Sequence, residues 1–148
     1  MKISTRTRYG LRALIDLASR QSDGPVMLRA IAESEGLSKK YLDNIFTSLR
    51  LAGLLRTIRG AHGGYLLNKP ASEITVLDVV TALEGDISPV DCLDHPELCD
   101  RSDNCVTREL WKDLRTSMEQ TLASRTVQQL VDRAKELEKS GKGKKRTA

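Results

Sequence analysis

The apolar positions near the start of the chain fall into three helical stripes. Between residues 5 and 19, Tyr9, Leu11, Ala13, Leu14, Ile15, Leu17 and Ala18 form a broad apolar face, and Asp23-Gly24-Pro25 breaks it. A short helix over residues 28–34 aligns Leu28, Ile31 and Ala32, and Gly36 follows. A third helix over residues 39–52 sets Leu42, Ile45, Phe46 and Leu49 at i, i+3, i+4 and i+7, with Ser38 suited to cap it. Its opposite face carries Lys39, Lys40, Tyr41, Asp43, Asn44, Thr47 and Ser48. Two short helices joined by a glycine turn, the second with a polar outer face, predict a helix-turn-helix.

After Gly53 the period changes. Residues 54–59 and 65–67 read as two short strands around Gly60-Ala61-His62-Gly63-Gly64, a hairpin flanked by Arg56 and Arg59. The glycines have two readings. They meet a turn's need for positive φ, or they let a wing's backbone approach a phosphate while the arginines anchor it. Beyond Pro70, residues 75–84 predict a short apolar helix, with Ile74, Val76, Leu77, Val79, Val80 and Leu83, that stops at Gly85. Residues 107–123 predict a long helix with a stripe of Leu110, Trp111, Leu114, Met118 and Leu122, about 25 Å from end to end. A last helix carries Val127, Leu130, Val131, Ala134 and Leu137.

The expected fold is therefore mainly α: a winged helix-turn-helix with a small β-hairpin wing and a long helix whose stripe needs a partner, which the family resemblance given below makes a dimerisation helix. The expected division is a DNA-binding domain over 1–84, a cysteine-containing loop over 85–106, dimerisation helices over 107–139 and a disordered basic tail over 140–148.

Charge supports a polyanionic partner. The net charge is +4, but residues 1–70 hold +7, residues 71–105 hold −8 and residues 106–148 hold +5. A basic front end carrying a helix-turn-helix suits double-stranded DNA, where Lys and Arg displace counterions from phosphates. Other classes fit less well. Two histidines give little material for a nucleophile and base, and the glycine-rich tip lacks the Gly-Lys-Ser/Thr of a nucleotide-binding loop. One Phe, one Trp and three Tyr are too few for RNA-stacking platforms. With no long apolar run and no apolar leader, the chain is expected in the cytoplasm, off the membrane and without a small-molecule substrate.

All three cysteines, Cys92, Cys99 and Cys105, lie in one stretch, spaced C-x6-C-x5-C among Asp91, Asp94, Glu97, Asp100 and Asp103. The odd number forbids complete disulfide pairing within the chain, and the absence of a C-x-x-C pair disfavours structural zinc. Acidic neighbours should raise thiol pKa values and suppress nucleophilic chemistry, whereas a bound cation reverses that penalty. A metal centre is the leading expectation, with zinc, inert thiols or a thiol redox role as alternatives.

The run Leu28-Arg-Ala-Ile-Ala-Glu, then Leu-Ser-Lys-Lys-Tyr-Leu, then Leu-Leu-Arg-Thr-Ile-Arg-Gly-Ala-His-Gly-Gly-Tyr-Leu-Leu, resembles the winged-helix transcription regulators typified by IscR, NsrR and CymR. The resemblance implies a homodimer on a pseudo-palindromic operator, expected to repress, with the third helix in the major groove and the wing in the adjacent minor groove. Lys39, Lys40, Arg50, Arg56 and Arg59 then suit phosphates, while Tyr41, Asn44, Thr47 and Ser48 suit base edges. Asp43 either accepts from cytosine N4 or pairs with Lys39 or Lys40, and Gly60, His62, Gly63 and Gly64 form the wing tip. By resemblance to the IscR and NsrR branch, whose loop carries cysteines, Cys92, Cys99 and Cys105 would ligate an iron-sulfur cluster, [2Fe-2S] first. Where that branch supplies a fourth ligand this chain has Arg108 or Arg8, and arginine stays protonated. His95 is the first candidate in its place, with Asp91, Asp94, Glu109 or an external thiol as alternatives.

Overall fold

The computed structural model describes residues 2–141. Ser4 accepts a hydrogen bond from the Thr7 N–H at 3.1 Å and so opens α1, Thr5–Arg20. Helix α2, Leu28–Glu35, ends at Gly36, whose left-handed φ of 66° lets the next amide, Leu37 N–H, return 2.9 Å to the Ala32 carbonyl. Ser38 then caps α3, Lys39–Leu51, by accepting from Tyr41 N–H. Strands β1, Leu55–Ile58, and β2, Gly64–Leu67, pair antiparallel with Leu55 opposite Leu67 and Ile58 opposite Gly64. Val26, just before α2, adds a rung to β2: its N–H donates to the Tyr65 carbonyl at 3.0 Å and its carbonyl accepts from Tyr65 N–H at 2.8 Å.

The predicted apolar faces meet in one core. Leu14, Leu17, Ile31, Leu42, Ile45, Phe46, Leu49, Leu55, Ile74 and Val79 are buried in it. Helix α1 lies against α3 and α4, Val76–Glu84, at Gly10. A Cβ there would sit 2.5 Å from a Leu83 methyl and 2.9 Å from Ile45. A capping box between Thr75 and Asp78 starts α4.

Two long helices follow, α5, Val106–Ala123, and α6, Val127–Lys139, and they behave differently. Helix α5 has no buried residue: Val106 and Leu110 are exposed, and Trp111, Leu114, Met118 and Leu122 are half-covered. Helix α6 was expected with α5 in a dimerisation segment, but it sends Val127 and Val131 into the core against α1. Backbone bonds explain this. Val127 N–H donates to Ile74 O and Val76 N–H donates to Arg125 O, both at 2.8 Å, splicing the start of α6 onto the start of α4. The wing-domain fold thus draws on residues beyond the predicted boundary at 84. Of the predicted tail, only Ser140 and Gly141 belong to the described residues; 142–148 lie outside them. Among the described residues no helix is long and apolar enough to cross a membrane.

Candidate DNA-binding face and cysteine loop

The outer face of α3 divides into exposed and half-covered side chains. Lys39, Lys40, Asp43, Asn44 and Arg50 are exposed, as are Arg56, Arg59, Gly60 and His62 of the wing. Tyr41, Thr47 and Ser48 are half-buried. Tyr41 packs edge-on against Tyr9, with ring centroids 6.4 Å apart, so a residue expected to read bases also belongs to the core margin. Burial, and then the Asp43 carboxylate, push the Tyr65 hydroxyl above its usual pKa, with Arg50 opposing. Asp43 therefore acts across the α3–wing junction as well as toward solvent.

The wing glycines separate into two kinds. Gly60 has φ 113° with open space around it, so conformation alone calls for glycine. Gly63 and Gly64 are required by packing within the protein. A Cβ on Gly63 would lie 2.1 Å from Ile58 O, and one on Gly64 would lie 2.4 Å from Val26 O. These two make the hairpin possible before any nucleic acid approaches.

One residue that reaches the outer face of α3 escaped the sequence reading. Arg6, in the first turn of α1, donates from its guanidinium to Ser48 Oγ on α3. Nearby, Glu84 Oε1 at the end of α4 accepts from Ser4 N–H at 2.7 Å. Burial alone would raise the Glu84 carboxyl, but hydrogen bonds from Ser4 and Thr7 and the charge of Arg6 hold it below its usual value. A depressed folded pKa stabilises the protein above the unfolded pKa, and that contribution is lost as pH falls through the folded one. Glu84→Gln should therefore lower the melting temperature near neutral pH, with the difference from wild type closing as pH falls below the ordinary carboxylate range. Melting curves at neutral pH and below that range check it; a gap that stays constant contradicts the linkage.

The cysteine loop is built from three short 3-10 turns, Asp91–Leu93, Pro96–Leu98 and Ser102–Asn104. Cys92 lies in the first turn, Cys99 follows the second and Cys105 precedes α5; all three are free and half-buried. Two arginines of α5 tie the loop down. Arg108 Nε donates to Cys92 O at 3.2 Å and its Nη2 to Leu93 O at 3.4 Å. Arg115 contacts Asp94 at 2.6 Å, Asp86 at 3.7 Å and Glu119 at 3.0 Å. Its guanidinium holds the Asp94 carboxyl below the usual range.

Two expectations about the loop change. Acidic neighbours were expected to raise the thiol pKa values, yet that of Cys105 is lowered, first by a hydrogen bond with Thr107 and then by the Arg108 backbone N–H. The Thr107 hydroxyl, and after it the Arg108 N–H, both in the first turn of α5, outweigh the acidic sequence around Cys105. The second concerns His95. Its Nδ1 lies 3.1 Å from Glu97 Oε1 on the exposed outside of the loop. Among the described residues no three His, Cys, Asp or Glu side chains are gathered to hold a metal. Three free thiols remain a donor set suited in chemistry to a soft-metal centre, and a cleft of about 390 Å³ beside Cys105, Arg108 and Lys112 lies between loop and helix. The thiols do not converge in it.

A polar helix face, a glycine-built wing and a cysteine loop latched to a long helix now define the architecture. The Rrf2 family model, described as an iron-dependent transcriptional regulator, matches residues 3–133. The chain belongs to the Rrf2 family. It is 42% identical over 131 residues to the HTH-type transcriptional regulator CymR of Bacillus subtilis, covering 88% of this chain and 90% of that one. It is 37% identical over 142 residues to the HTH-type transcriptional regulator IscR of Photorhabdus laumondii, covering 96% and 86%. The solved structure of B. subtilis CymR, described as a global cysteine regulator, superposes with a TM-score of 0.74 at 41% identity, covering 89% of this chain and 97% of that one. This Rrf2 protein is accordingly a winged-helix transcription regulator, and its named relatives are regulators rather than enzymes.

Proposed function

We propose that this Rrf2 protein acts in the cytoplasm as a homodimeric repressor on a pseudo-palindromic operator, and that its cysteine loop holds an iron-sulfur cluster, [2Fe-2S], that sets operator affinity. One observation carries the reading: α5 keeps its apolar stripe unburied while its first turns hold the cysteine loop. A second copy covers that stripe, so the loop stands beside the interface that fixes the distance between two α3 helices. Dimeric readers need half-sites about 34–36 Å apart, so a small rotation at α5 alters binding. Lys39, Lys40, Arg50, Arg56 and Arg59 position the protein on phosphates, and Asn44, Thr47, Ser48 and Asp43 face base edges. Cys92, Cys99 and Cys105 would hold the cluster, which when bound supplies a reversible change of charge. Arg108 and Arg115 carry a movement of the loop into α5.

Purification without oxygen, followed by absorption spectroscopy and iron, sulfide and zinc analysis, tests the cofactor. The expected result is absorption at about 400–460 nm with matching iron and sulfide, and loss of both when Cys92, Cys99 or Cys105 becomes alanine. The same variants should remain dimeric with altered operator affinity or selectivity. Colourless protein with stoichiometric zinc, or equal operator binding by the cysteine-free protein, overturns the cluster reading.

A second reading, a regulator of the same fold with zinc or no cofactor in the loop, has its own support. Arg108 stands where cluster-bearing relatives place a ligand and spends its guanidinium on the Cys92 and Leu93 carbonyls, and the three thiols are not gathered. The metal analysis separates the two.

A further inference from the structure

Arg6 belongs to α1, yet its guanidinium reaches the outer face of α3 and donates to Ser48 Oγ. Its backbone is fixed by the turn that Ser4 caps, and its charge lies close enough to Glu84 to lower that carboxyl's pKa. The Ser48 hydroxyl is engaged a second time, with its proton directed at the Asn44 carbonyl on its own helix at 3.4 Å. A serine hydroxyl has one donor and two acceptor sites. With the proton turned inward and one lone pair taken by Arg6, Ser48 has a single lone pair to offer outward. Such a group accepts from adenine N6 or cytosine N4 in the major groove, and it gives nothing to guanine O6 and N7 or thymine O4, which need a donor. Removing the guanidinium frees the hydroxyl to rotate and donate.

We propose that Arg6 is a positioning residue of the DNA interface, one that holds the Ser48 hydroxyl as an acceptor and so sets which bases it favours. The inference rests on the DNA-binding reading given above. It concerns base preference and is independent of anything the cysteine loop holds.

Selection of duplexes from a random-sequence DNA library by the full chain tests it, using wild type, Arg6→Met, Arg6→Lys, Ser48→Ala and the Arg6→Met/Ser48→Ala pair. Arg6→Met and Ser48→Ala should change base enrichment at the same positions, by about fivefold or more. The double variant should match Ser48→Ala alone, and Arg6→Lys, which keeps a charged donor, should retain much of the wild-type preference. Arg6→Ala, which also lacks a donor, is read in the same way should Arg6→Met fail to melt cooperatively. Arg6 variants that select the wild-type sequences overturn the proposal, as does Ser48→Ala doing so. A uniform affinity loss in Arg6→Met, without altered preference, assigns Arg6 to phosphate alone and also overturns it. Wild-type protein that enriches no duplex fails the DNA-binding reading itself.

Discussion

Phe46→Ala is expected to remove about 3–5 kcal/mol of unfolding free energy and to abolish operator binding with it. Phe46 is fully buried on the rear of α3, and its ring meets that of Tyr65 edge to face at 5.1 Å. The side chain therefore supports the recognition helix from behind and joins it to β2 of the wing. Truncation leaves a void that the surrounding Leu and Ile side chains fill only in part, and the aromatic contact is lost as well. A domain of this size has about 5–15 kcal/mol in total, so the loss takes a large share. Urea denaturation measures it; a cost under about 1.5 kcal/mol would show a core able to collapse onto the site.

Gly64→Ala is the second large effect, and its cause is backbone geometry. The new Cβ would lie 2.4 Å from the Val26 carbonyl oxygen and 2.6 Å from its carbon, at a residue with φ 154°. Neither neighbour is a flexible side-chain end, so the Val26–Tyr65 rung has to open. The expected cost is on the order of 2–4 kcal/mol, a strained position plus a lost hydrogen bond. Gly60→Ala provides the contrast. It meets no atom and bears only the conformational penalty, about 1 kcal/mol. Equal melting temperatures for the two variants would refute the packing account of Gly64.

Local periodicity made much of this fold readable. Leu42, Ile45, Phe46 and Leu49 showed the buried side of α3, and Ser38, Gly36 and Gly85 marked helix ends that the structure keeps. Contacts between distant residues were not readable in this way. The Ser4–Glu84 and Arg6–Ser48 bonds span 80 and 42 residues, and nothing in the spacing of either segment refers to the other. Helix α6 was readable as a helix but not its packing against α1: a stripe with Val127 and Val131 looks the same whether it faces a second copy or its own core. The cysteine loop misled through composition. Counting nearby acids predicts a raised thiol at Cys105, whereas the first turn of α5 decides it.

The rung between Val26 and Tyr65 bears on how such a regulator can be tuned. It rivets the wing to the residue that precedes Met27 and α2, while Phe46 holds the wing's Tyr65 against α3. The rung and the ring contact therefore join helix-turn-helix and wing into one body, and bending one against the other would break both. In the proposed dimer, the coordinates left to an effector are the distance and tilt between two such bodies. On that proposal a signal would act as on calipers, by resetting the gap between the two jaws.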